Sequence, residues 1–215
     1  MSRIVSTASN EKFVVACTGG TVFVYDKKGN ELAKFKGLKY AYLPVISPKG
    51  DILVVKSTEG VLAVYSLETL TLIKKLRTSK VSYAQDDGCC FSSDGKQFLN
   101  IERQIDDLHN ALSVYDTKDF SKVSQWMLGE DMAINYIEER ENEYYVIGFC
   151  RDESEICDTF FVGKYKNNSI IDALTIPEDE WWGCINERLV VSADVEYRSL
   201  ADLWLSYREK KCDKR

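Results

Sequence analysis

Apolar residues in this chain fall into short runs of about four to six, separated by polar turn clusters, and no long stretch keeps a helical period. That pattern predicts strands joined by tight turns. Phe13–Ala16, Ile52–Val55, Gln97–Leu99 and Tyr144–Gly148 are four such strands, and Leu189–Ser192 predicts a fifth. The turn clusters Ser47-Pro48-Lys49-Gly50-Asp51 and Ser92-Ser93-Asp94-Gly95-Lys96 precede two of them. After each comes a second apolar strand that ends on a tyrosine. These are Phe23-Val24-Tyr25-Asp26, Ala63-Val64-Tyr65-Ser66, Ser113-Val114-Tyr115-Asp116 and Gly163-Lys164-Tyr165-Lys166, with Leu205-Ser206-Tyr207-Arg208 as a weaker fifth copy.

The tyrosines are spaced 40, 50, 50 and 42 residues apart. An apolar residue stands three places before each: Val22, Leu62, Leu112, Val162 and Trp204. Five places before stand Gly20, Gly60 and Asn110, residues suited to the positive φ of a tight turn; copies four and five lose this signal. A further strand follows the tyrosine, as in Glu31–Phe35 and Thr71–Leu76. Four short strands per repeat, at a period of about 40–45 residues, mark a propeller blade. The reading is therefore an all-β chain, a single β-propeller domain over 1–215 with about five short blades at 2–37, 38–78, 79–129, 130–177 and 178–210, the last incomplete.

The run Phe91-Ser92-Ser93-Asp94-Gly95-Lys96, an apolar strand, then Val114-Tyr115-Asp116, resembles the WD-repeat family across nearly the whole chain. Tyrosine stands where that family has the Trp of its Trp-Asp dipeptide. The Gly-His dipeptide is absent, and the only histidine, His109, lies elsewhere. The family's buried His-Ser-Trp-Asp network therefore cannot form.

Two signals compete at 199–210. The tyrosine spacing makes Asp202–Arg208 the third strand of blade five. Yet Ser199-Leu200-Ala201-Asp202 reads as a helix N-terminus, and Leu200, Leu203, Trp204 and Tyr207 share one helical face. The repeat favours the strand. Either way no residues remain for a fourth strand, so an open edge would invite pairing with a partner or with a second copy.

The formal charge is −6, from 28 basic and 34 acidic residues, which weighs against nucleic acid as a partner. No apolar run reaches signal-peptide or membrane-spanning length, and the seven cysteines are scattered without a CxxC, so a cytoplasmic location and thiols serving as small apolar side chains are expected. One histidine supports neither a zinc site nor a Ser/His/Asp or Cys/His set. No phosphate-binding glycine motif occurs, and no cofactor or catalytic residue is assigned. Cys150 and Cys157 flank one acidic loop.

Charge is unevenly placed. In a propeller, the loops between second and third strands share a face with the loops that join blades. That face collects 18 acidic and six basic residues, a sum of −12. It includes Asp106 and Asp107, Asp131, Asp152, Glu153, Glu155, Asp158, Glu178, Asp179 and Glu180, with Glu59, Glu102 and Asp202 also counted there. The loops 101–110 and 150–158 carry the extra length of blades three and four, and long loops are often functional. The acidic run at 178–180 continues into Trp181 and Trp182, one of which should pack inward, and Trp is enriched at binding hot spots. The expectation is a monomeric, non-enzymatic interaction module offering this acidic face to a basic protein. The alternatives are a small-molecule or enzymatic propeller using its central channel, and half of a larger ring completed by self-association.

Overall fold

Antiparallel meanders built from the predicted strands dominate the chain. The computed structural model describes residues 4–78, 88–104, 110–129, 131–151, 158–189 and 199–212. The chain divides into two compact units, one of Met1–Gln85 with Glu102–Gln104 and one of Asp86–Ile101 with Ile105–Arg215.

The first unit holds β1 (Ser6–Ser9), β2 (Phe13–Cys17), β3 (Gly19–Asp26), β4 (Glu31–Ile46), β5 (Ile52–Ser57), β6 (Val61–Ser66) and β7 (Thr71–Arg77), hydrogen-bonded in that order. The 16-residue β4 serves two four-stranded groups. Its first part pairs with β3 (Phe35 opposite Val22) and its second with β5 (Val45 opposite Val54). Gly37 (φ 82°) and Tyr40 (φ 50°) redirect the strand between the two pairings. Val15, Val22, Val24, Leu53, Val55 and Tyr65 form the core of this unit.

The second unit holds two four-stranded sheets: β8 (Cys89–Phe91), β9 (Gln97–Arg103), β10 (Asn110–Asp116) and β11 (Ser121–Met127), then β12 (Met132–Arg140), β13 (Glu143–Cys150), β14 (Thr159–Tyr165) and β15 (Ile170–Thr175). Alternation sends side chains of the last sheet to opposite faces. Val146 and Phe161 join Leu99, Ile101, Leu112 and Val114 in one core, whereas Tyr145, Ile147 and Val162 join a second core on the other face. Gly148 permits the close approach of β12, because a Cβ there would collide with the Ala133 carbonyl oxygen.

The turn chemistry recurs as expected. Gly50 and Gly95 take φ near 70°, and their amides donate to the Ser47 and Ser92 carbonyls. Each serine hydroxyl also accepts an amide from the next strand, Ile52 N–H at 3.0 Å and Gln97 N–H at 2.9 Å. The tyrosine repeat marks a second device. The pairing of third and fourth strands slips at Val24/Tyr25, Val64/Tyr65, Val114/Tyr115 and Val162/Lys164, so a β-bulge recurs at three of the repeated tyrosines and just before the fourth, Tyr165.

Two local expectations are corrected. Gly60 has the positive φ foreseen, but Gly19 rather than Gly20 takes it in the first repeat. Asn110 is a buried strand residue whose side-chain amide donates to the Ile134 carbonyl at 3.0 Å.

The larger correction concerns the fifth repeat. Where the tyrosine spacing favoured strands, the chain forms α1 (Glu178–Leu189) and α2 (Leu200–Cys212). Leu189, expected to open a strand, closes α1, and Val190, Val191 and Ser192 lie outside the described residues. The capping signal prevails at α2. Ser199 Oγ accepts the Asp202 amide at 3.0 Å and donates to the Asp202 carboxylate at 2.8 Å, while Glu138 accepts the Leu200 amide at 3.0 Å. Leu200, Leu203 and Trp204 are buried against Tyr136, Tyr145 and Ile147. The helices therefore cover the face of the last sheet that a fifth blade would have covered.

Candidate interaction surface

The register of the last sheet gathers several chain segments at one end. Met132 and Thr159 both lie opposite Cys150, and Thr175 lies opposite Phe161. The β11–β12 connection, the β13–β14 connection and the start of α1 therefore emerge together. Exposed Asp131, half-buried Asp158 and the first turn of α1, Glu178, Asp179 and Glu180, stand there. The described counter-charge is Arg151. Its Nε lies 3.3 Å from Asp158 Oδ1, and its amide donates to the Asp131 carbonyl at 2.7 Å.

The three carboxylates at 178–180 have a local reason. The first amides of α1 lack intrahelical acceptors, and negative charge there opposes no dipole and favours the helix. Trp181 and Trp182 project about 100° apart around the helix and differ in burial. Trp181 is buried, its ring 4.8 Å from Phe160 and 6.0 Å from Phe149. Trp182 is 47% exposed, packs edge-on to Trp181 at 4.7 Å, and donates from Nε1 to Glu178 at 3.3 Å. An amphipathic ring thus lies beside a carboxylate at the sheet end.

Other sequence expectations fare differently. Asp106, Asp107, Asp152, Glu153 and Glu155 lie outside the described residues, as do His109 and Cys157. Glu102 is fully buried, so it is no surface charge. Asp202 sits at the other end of the sheet, where Arg140 of the β12–β13 hairpin pairs with it at 2.5 Å. Lys56, one of the six basic residues counted on the face, is also buried. Burial, and then the Asp131 carboxylate, push the Cys150 thiol above its ordinary value, which keeps it protonated at neutral pH. Among the described residues, no group of three or more His, Cys, Asp or Glu is placed to hold a metal ion, and no helix is long and apolar enough to cross a membrane.

Sequence reasoning missed one feature of this end, which is that α1 rather than a strand presents the tryptophans. The signal was available in the clustered Glu178, Asp179 and Glu180 directly after Pro177, a helix-start pattern.

No family model and no curated protein matches the chain. Among solved structures it is similar to hydrazine synthase of Kuenenia stuttgartiensis, with TM-score 0.62 and 14% identity, covering 78% of this chain and 51% of that one. It is also similar to the WD40 domain of coronin from Toxoplasma gondii, with TM-score 0.59 and 15% identity, covering 78% of this chain and 44% of that one. The chain thus spans about half the length of these two structures. At such identity the likeness speaks to the fold. Together with four meandering sheet units and a recurring third-strand bulge, it shows a β-propeller fold similar to that of WD40 domains.

Proposed function

We propose that this propeller is a non-enzymatic interaction scaffold whose acidic loop end binds a basic surface of a protein partner. The fold likeness to the coronin WD40 domain supports a scaffold in general. The observation that carries the finer reading is exposed Trp182, held against Glu178, with Asp131, Asp158, Asp179 and Glu180 on segments that leave the same end of the last sheet. A half-exposed Trp supplies apolar contact area with one polar tip, the composition of a binding hot spot. The carboxylates at this end attract a cationic partner and make association sensitive to salt. Asp152, Glu153 and Glu155 belong to the segment linking Arg151 to Asp158 and extend the same charge in sequence, as Asp106 and Asp107 do in the β9–β10 connection.

The test is capture of partners from the native lysate at low and at high salt, compared between the natural chain, Trp182→Ala, and the triple change Glu178→Gln, Asp179→Asn, Glu180→Gln. A basic protein retained by the natural chain at low salt, and lost from both variants, is the expected result. A partner retained equally by all three chains would remove this surface from the interaction.

A further inference from the structure

A second surface lies where β15 meets α2, and its chemistry is the reverse of the acidic end. Among the described residues β15 is the last strand of its sheet, with no strand beside its outer edge. The Ile176 amide donates to the Phe160 carbonyl at 3.0 Å, which fixes the direction of the backbone groups along this strand. In an antiparallel pair, N–H and C=O of alternate residues turn toward and away from the neighbour. Ile176 and Leu174 therefore face β14, and the N–H and C=O of Thr175 and the C=O of Ala173 face away from it, whereas the Ala173 N–H, at the bulge, points opposite to the Asp172 carbonyl that turns to Trp204.

That outward edge borders a cleft of about 650 Å³. One wall is Ala173–Pro177; the other is Tyr207, Lys210 and Lys211. Positions i, i+3 and i+4 lie on one face of a helix, so α2 presents these three side chains together. Lys210 Nζ lies 4.4 Å from the Tyr207 ring centroid, and among the described residues no carboxylate lines the cleft. The accessible edge is bounded at both ends. Pro177 has no N–H to offer, and at Asp172 (φ 51°) the carbonyl is already taken by Trp204 Nε1 at 2.8 Å.

The geometry points to a docking site for a short extended acidic peptide, which adds a strand to β15 and places its carboxylates against Lys210 and Lys211. Main-chain hydrogen bonds to Ala173 and Thr175 supply binding, and the two ammonium groups select charge. The site is distinct from the acidic end and does not depend on the reading of that end.

The probe is a fluorescein-labelled, blocked hexapeptide alternating valine and glutamate, with the valine–lysine counterpart as control, titrated by anisotropy against the full chain. The glutamate peptide is expected to bind at least about tenfold more tightly than the lysine peptide. Lys210→Glu with Lys211→Glu should weaken it by at least about tenfold. Thr175→Pro should weaken it similarly, because it removes an outward N–H that the sheet does not use. No binding by the natural chain, equal binding of both peptides, or unchanged affinity in the charge-reversed chain would overturn the assignment. Should Thr175→Pro fail to fold, the lysine variant decides alone. Sedimentation of the unliganded chain completes the test, since a dimer abolished by Thr175→Pro would give this edge to a second copy and overturn the peptide site.

Discussion

The Trp126 indole stacks on the Tyr165 ring, with centroids 5.8 Å apart and planes inclined by 24°. Trp126 belongs to the fourth strand of one sheet and Tyr165 to the third strand of the next. In the first unit Phe35 stacks on Tyr65 in the same way, at 4.1 Å and 12°, again fourth strand on third. Two of the repeated tyrosines, Tyr65 and Tyr165, thus each receive an aromatic ring from the fourth strand of the preceding four-stranded group. Trp126→Ala should cost about 2 kcal/mol, from lost apolar burial and lost stacking. Urea unfolding of the variant beside Phe35→Ala checks this, and no loss in either would mean the stacks add little to cohesion.

The two adjacent tryptophans should separate cleanly in stability. Trp181→Ala empties a site closed by Phe149 and Phe160 and should cost about 3–5 kcal/mol. Trp182→Ala should change the unfolding midpoint little, because the ring is half in solvent. Chemical denaturation followed by far-UV circular dichroism distinguishes the two.

Ser199→Ala should cost about 1 kcal/mol, the usual loss for an N-cap hydroxyl, and should fray the start of α2. Amide exchange over the first turn of α2 reports this directly. Ser199→Asp should restore most of it, since aspartate also caps, whereas a full loss in Ser199→Asp would assign the role to the Arg140 contact instead.

Stability should fall steeply in alkali. Burial raises the Tyr65 phenol from 10.0 to about 12, and likewise raises the Cys17 thiol from 9.0 to about 12. Between those values the unfolded chain has released protons that the folded chain still holds, so rising pH favours unfolding. The stability is intact below pH 9 and declines from there to about 12. Tyr65→Phe should flatten the upper part of that decline in thermal melts taken from pH 8 to 11.5, and an unchanged slope would show that Tyr65 does not contribute.

Four of the five repeats were legible because strand period, turn serines and tyrosines agree with one another from Phe13 to Tyr165. The tyrosine motif also located a bulge that its spacing alone does not reveal, since register is a property of two strands. The fifth repeat misled because Tyr207 continues a spacing while its neighbours obey a different period. Leu200, Leu203, Trp204 and Tyr207 need a helix to share a face, and Ser199 with Asp202 supplies its start. Charge was legible as totals but not as places. Glu102 is acidic in composition and buried in the fold, and Asp202 belongs to an ion pair at the far end of the sheet.

The single strand β4 also bears on how the first unit can form. A sequence boundary at 37/38 falls inside it, at Gly37, with no loop between the two groups it serves. A fragment stopped there would carry one half of the strand paired and deprive β5 of its neighbour. The two groups should therefore gain structure in one concerted step, with the strand acting as a shared nucleus, and a cut or insertion near Gly37 should unravel both instead of releasing either one intact.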